Sequence, residues 1–162
     1  MPKINSKAKG NRNELALTKI LNERFNTKEF SRVPSSGAWT GGKNRDKASG
    51  LSEEAKQTLS GDIMTPKNFL YSIESKAYAS MEFWDLFNES SNLFSWMKQS
   101  EEDAEFVGKQ PMLIVKINRH ETLVFTKDMG FHDYFFECRG WYCRHLKKFL
   151  EDRDTEEFFE KI

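Results

Sequence analysis

Residues 61–78 read GDIMTPKNFLYSIESKAY, two largely apolar segments separated by Pro66-Lys67-Asn68. Proline, lysine and asparagine in succession signal a turn. The stretch therefore predicts a hairpin, with one strand over 62–65 and a longer one over 69–78. Strand side chains alternate, which sets Ser72, Glu74 and Lys76 on one face and Ile73, Ser75 and Ala77 on the other. A strand otherwise fit for a core thus carries an acid and a base side by side. Asp62 opens the partner strand, close enough across the hairpin to meet Glu74. Two carboxylates converging from adjacent strands make a hard, oxygen-rich site suited to Mg2+ or Mn2+, with one or two ions per site. Such an ion polarises a phosphate and lowers the pKa of a bound water. Lys76 is a compact cation suited to stabilising developing negative charge or positioning the attacking water, and the carbonyl of Ser75 is a further candidate ligand.

Upstream, residues 11–25 predict a helix, with Leu17, Ile20, Leu21 and Phe25 in a stripe at helical spacing. At about 100° per residue, Glu14 and Leu21 lie within about 20° of one another around the helix. Glu14 is thus on the stripe that faces the sheet, where an acid needs a partner such as a metal or Lys76. A glutamate in a first turn also interacts favourably with the helix dipole, so its place has an ordinary structural reading as well. KEFSRVP predicts a short strand ending at Pro34. Residues 35–60 have little apolar periodicity and read as one long basic loop. Trp39, Lys43, Arg45 and Lys47 on it suit stacking on a base and gripping a nucleic acid backbone. Residues 1–50, Arg12 included, hold 11 Lys or Arg against 4 acids, a net of +7 that favours a polyanionic partner.

Downstream, residues 81–105 predict a helical region broken near Ser90-Ser91, with Phe83, Trp84, Phe87, Leu93, Phe94 and Met97 as its core face. Gly108 and Pro111 punctuate its end. PMLIVKINR and ETLVFT predict two more strands joined at Arg119-His120, the first buried on both faces. Residues 139–149 predict a last helix within an aromatic and acidic segment, 131–162, that reads as core, dimer surface or a partner site, with core plus dimer surface the favoured expectation. The order of elements gives a mixed α/β sheet with helices on its faces. Cys138 and Cys143 are spaced too widely for the usual zinc knuckle and read as reduced structural cysteines.

The 162 residues fit a single domain, with 14 Phe, 4 Trp and 4 Tyr to fill its core. No apolar run reaches the roughly 18 residues a membrane helix needs, and the basic N-terminus has no apolar stretch behind it. An intracellular, cytoplasmic location is the expectation.

Gly61-Asp62-Ile63, then Ile73-Glu74-Ser75-Lys76, with Glu14 on the preceding helix, resemble the PD-(D/E)xK nuclease superfamily. Gly61 stands where that superfamily usually has proline. Within it the chain is most similar to archaeal and phage-type Holliday-junction resolvases. Lys9-Gly10 leading to Glu14 looks like their basic approach to the first helix. Arg32-Val33-Pro34-Ser35-Ser36-Gly37 looks like their strand and serine-glycine loop. Trp96 to Gln99, followed by Ala104 and PMLIVK, looks like their second helix and fourth strand. The resemblance spans roughly residues 7 to 126.

It implies a restriction-endonuclease-like fold and a catalytic set of Glu14, Asp62, Glu74 and Lys76, with Asp62, Glu74 and Glu14 on the metal. It further implies DNA contacts through Lys9, Arg32, Ser35 and Ser36, Gln99 as a positioning residue, and a homodimer on branched DNA, the four-way junction. Other readings are a nicking, restriction-like or repair nuclease on the same fold, an RNA-processing nuclease, and a DNA-binding module without catalysis.

Overall fold

The computed structural model describes residues 5–34, 50–128 and 134–161. Its strands are β1 (Ser31–Arg32), β2 (Ile63–Met64), β3 (Tyr71–Tyr78), β4 (Gln110–Ile117), β5 (Thr122–Thr126), β6 (Phe136–Cys138) and β7 (Trp141–His145). Its helices are α1 (Ser6–Phe25), α2 (Glu53–Leu59), α3 (Asn92–Val107) and α4 (Leu146–Glu151). Among the described residues these seven strands make one mixed sheet in the order β1-β2-β3-β4-β5-β7-β6. Only β3 and β4 run parallel; every other neighbouring pair is antiparallel. Parallel neighbours need a crossover, and α3 supplies it. This is the restriction-endonuclease-like α/β architecture expected from the sequence.

Each face of the sheet carries its own core. On one, Leu17 and Leu21 of α1 and Leu146, Phe149 and Leu150 in α4 pack on Ile63, Ile73, Met112 and Ile114. On the other, Leu93, Trp96 and Met97 of α3 pack on Leu113, Val115, Phe125 and Trp141. Odd and even positions of β3 and β4 thus serve different helices, as period-2 alternation requires. The hairpin expected from GDIMTPKNFLYSIESKAY is present, with Ile63 opposite Ile73.

Four expectations change. α1 starts at Ser6, ahead of residue 11, because the Asn5 side chain accepts the Ala8 N–H and caps it. α2 lies inside the stretch read as loop. Ser52 caps it, and Glu53 and Glu54 occupy the first turn where the helix dipole favours acids. The break near Ser90-Ser91 holds, since α3 begins after Ser91. However, Phe83, Trp84 and Phe87, on and just after a 3-10 turn at Phe83–Leu86, are 65%, 73% and 64% exposed rather than core.

The fourth change is that residues 139–145 belong to a hairpin, and only Leu146 onward is helical. Arg139 and Gly140 have φ of 52° and 80°, and Cys138 pairs with Trp141, so the two residues form a primed turn matched to strand twist. The C-terminal segment does supply core through Trp141, Cys143, Phe149 and Phe158. Burial pushes the Cys143 thiol up to about 12, which leaves it inert. Among the described residues no helix is long and apolar enough to cross a membrane.

Candidate active site

β3 is the axis of the site. Glu74 and Lys76 point to its α3 side, Ser75 to its α1 side, and Asp62 stands just before β2, between Ile73 of β3 and Val33, whose N–H donates to the Asp62 carbonyl at 3.0 Å. The Asp62 N–H donates to the Ile73 carbonyl at 2.9 Å, and its carboxylate Oδ2 accepts the Ser75 N–H at 2.8 Å. These two bonds fix Asp62 against β3 through backbone groups alone.

Glu74 is 2% exposed, and its Oε1 lies 2.6 Å from Lys76 Nζ. The pair is close but poorly directed, and Oε1 has no hydrogen-bond partner of good geometry among the described residues. Lys76 Nζ donates instead to Gln99 Oε1 of α3 at 3.2 Å, so Gln99 does meet the lysine. Burial, then the charge of Asp62, push Glu74 up to about 8 against the pull of Lys76. Burial lowers the Lys76 pKa, but Glu74 and Asp62 outweigh it and the net direction is up. Asp62 contributes to both upward shifts, although burial is the larger cause for Glu74.

Glu14 lies on the α1 side, 8% exposed, as its angle on the helix requires. Its Oε2 accepts from Arg32 Nε at 2.6 Å, and Arg32 Nη2 donates to Asn11 Oδ1 at 2.8 Å. Burial raises the Glu14 pKa, opposed by Arg32, with Asp62 raising it further. Asp62 is therefore the carboxylate whose charge both Glu14 and Glu74 feel. Among the described residues no three His, Cys, Asp or Glu side chains form a ready metal cage, and the two glutamates are each paired with a cation, Glu14 with Arg32 and Glu74 with Lys76.

Arg32, expected at DNA, is held by Glu14 and Asn11 in this arrangement. Asn22 sets the approach of β1 by bonding the Phe30 backbone at both its carbonyl (2.8 Å) and its N–H (3.0 Å). Lys9 and Arg12 lie on the N-terminal half of α1, Arg12 exposed. Ser35, Ser36, Trp39, Lys43, Arg45 and Lys47 lie outside the described residues.

Two participants were not singled out from the sequence: Asn13, whose Nδ2 donates to Ser75 Oγ at 2.9 Å, and the Ser75 amide itself. The signal for Asn13 was present, since it sits four residues before Leu17 and so on the sheet-facing stripe.

The raised Glu74 has a consequence for stability. Between its ordinary 4.5 and about 8, the folded chain keeps a proton that the unfolded chain has released. The folded state binds more protons there, so stability falls as pH rises across that window. In EDTA, the thermal midpoint should decline from pH 5 to 8, and Glu74→Gln should flatten that slope. An identical slope in the variant would contradict the raised value.

The profile of the family described as "Phage putative PDDEXK endonuclease" matches residues 5–137, which contain every element from α1 to β5 and all four residues of the candidate site. No curated protein and no solved structure matches. With the family match covering most of its length and the fold agreeing, the chain belongs to the phage PDDEXK endonuclease family.

Proposed function

We propose that this endonuclease is a Mg2+-dependent, structure-selective DNA nuclease, a Holliday-junction resolvase acting as a homodimer, with Glu14, Asp62, Glu74 and Lys76 as its active site. The observation that carries the site is Glu74: a carboxylate 2% exposed, raised to about 8, with Oε1 lacking a well-directed partner beside Asp62. Such a group fits a hard divalent cation, which would restore the charge balance that Lys76 alone does not. Asp62 and Glu74 would hold it, with Glu14 on the α1 side. Bound there, Mg2+ or Mn2+ supplies Lewis acidity toward a phosphodiester and acidifies water.

The chain's own groups divide the remaining work. Lys76 presents a compact ammonium, 20% exposed and steadied by Gln99, where negative charge builds on the phosphate. Asp62, pinned by two backbone bonds, keeps its carboxylate oriented without reorganisation. Hydrolysis proceeds by direct attack of water on phosphorus, without a covalent enzyme intermediate. Lys9, Arg12 and the basic residues Lys43, Arg45 and Lys47 with Trp39 contact the DNA backbone, and Ser35 and Ser36 contact a phosphate.

The exposed trio of Phe83, Trp84 and Phe87 supports self-association. Their rings pack at 5.3–6.1 Å between centroids, on a turn whose Glu82 and Asp85 carboxylates cap its own backbone. An apolar patch this preorganised is typical of a protein interface.

The test is cleavage of a labelled four-way junction, a linear duplex and a single strand, each with Mg2+ or EDTA, beside Glu74→Ala and Lys76→Ala. Paired symmetric nicks on the junction, abolished by EDTA and by both substitutions, are expected. Cutting of plain duplex would move the reading to a restriction-like or repair nuclease. Full activity in both variants would sink the proposed site.

A further inference from the structure

We propose that Asn13 is a positioning residue that, through Ser75, keeps Glu14 of α1 at Asp62 when a divalent cation occupies the site; this rests on the metal-dependent reading above. Ser75 works in two directions. Its hydroxyl, on the α1 side of β3, accepts from Asn13 Nδ2 at 2.9 Å, and its backbone N–H, in the plane of the sheet, donates to Asp62 Oδ2 at 2.8 Å. One residue thus joins the helix that carries Glu14 to the Asp62 carboxylate. Ser75 is 8% exposed, so water offers the hydroxyl little alternative.

Among the described residues the first half of α1 has one other polar tie to this region, the Arg32 guanidinium on Glu14 at 2.6 Å and on Asn11 at 2.8 Å. That tie runs through the Glu14 carboxylate itself. Were Glu14 to hold a cation, its oxygens would be shared with Arg32 and this tie would weaken. The Asn13 to Ser75 bond uses no ionised group and no ligand atom, so it survives. Asn13 is the neighbour of Glu14 in sequence, and holding it fixes the helix rotation that aims Glu14 inward.

Outer partners of metal ligands typically change metal affinity 10- to 100-fold when removed. Asn13→Leu, close in volume but without the donor, should weaken Mn2+ binding about 10-fold by calorimetry in the absence of DNA. Its thermal midpoint should stay close to wild type. Ser75→Ala should show the same loss and keeps the amide to Asp62. The double variant should be no worse than either single change, because both remove one shared bond. Asn13→Asp, to which the Ser75 hydroxyl can donate, should restore affinity.

An unchanged Mn2+ affinity in Asn13→Leu, or losses that add in the double variant, would overturn the role of Asn13 while leaving the nuclease reading intact. A wild type that does not bind Mn2+ would overturn the metal reading itself, and the positioning role with it. Mn2+ binding that responds to these variants in a protein that cuts no DNA would support the tether and sink only the nuclease assignment.

Discussion

Lys76→Met is expected to lower the rate of phosphodiester cleavage by about 10²- to 10³-fold, the usual loss when one preorganised charge donor leaves a reacting centre. The fold should persist. Lys76 Nζ is 2.6 Å from Glu74 Oε1, so removing it would ordinarily strand a buried carboxylate at considerable cost. Here that cost is limited, because Glu74 is already pushed up to about 8 by burial and by Asp62, and it takes a proton at neutral pH instead of remaining charged. Methionine fills the same space along the stem. Lys76→Arg should recover little of the activity, because a planar guanidinium does not replace a point charge held between Glu74 and Gln99. Single-turnover rates on the preferred substrate, set beside thermal midpoints, separate the two effects. A wild-type rate in Lys76→Met would remove the lysine from the chemistry.

Much of this was legible in the sequence because strand alternation leaves so little freedom. Once Ile73 is buried, Glu74 and Lys76 must share the opposite face, and β3 places them so. The angle between Glu14 and Leu21 likewise fixed Glu14 toward the sheet, and it is buried. What the sequence left out are interactions set by distance between separate elements. No periodicity announces that Arg32 of β1 reaches back to Glu14, or that Asn13 meets Ser75.

The misread elements have local causes. EEAKQTL is a short helix with few apolar positions, so the Ser52 cap and the acidic first turn were its main signals. WYCRH runs directly into LKKFLE, and the helical pattern of the second hid the strand in the first. The Arg-Gly pair ahead of it was the overlooked turn. Phe83, Trp84 and Phe87 looked like core because bulky aromatics usually are. Their exposure follows from the 3-10 turn on which they sit, and composition cannot register that.

Gly61→Ala is expected to cost about 3 kcal/mol and to lower the thermal midpoint by about 6–12 °C, combining a left-handed backbone with a steric clash. Gly61 has φ +72°, and a Cβ built there would stand 2.6 Å from the Ile73 carbonyl oxygen, too close for any relaxed contact. That oxygen is also the acceptor for the Asp62 N–H at 2.9 Å. Relief of the clash must therefore move the segment that holds Asp62 and disturb its 2.8 Å bond from the Ser75 amide. Activity should fall with stability, since a shift of about 1 Å at a positioned group can cost about 10²-fold.

The same geometry explains the glycine where the superfamily usually has proline. A pyrrolidine ring holds φ near −65°, far from the value this backbone adopts, so Gly61→Pro should be the more damaging change. Gly108 gives the control. Its φ is +68°, but nothing lies within 4 Å of its Cβ position, so Gly108→Ala carries the backbone strain without the clash. The gap between the two alanine variants measures what the close approach to Ile73 contributes. Equal midpoints for Gly61→Ala and Gly108→Ala would mean that the carbonyl yields freely, and that Asp62 is held by something other than this contact.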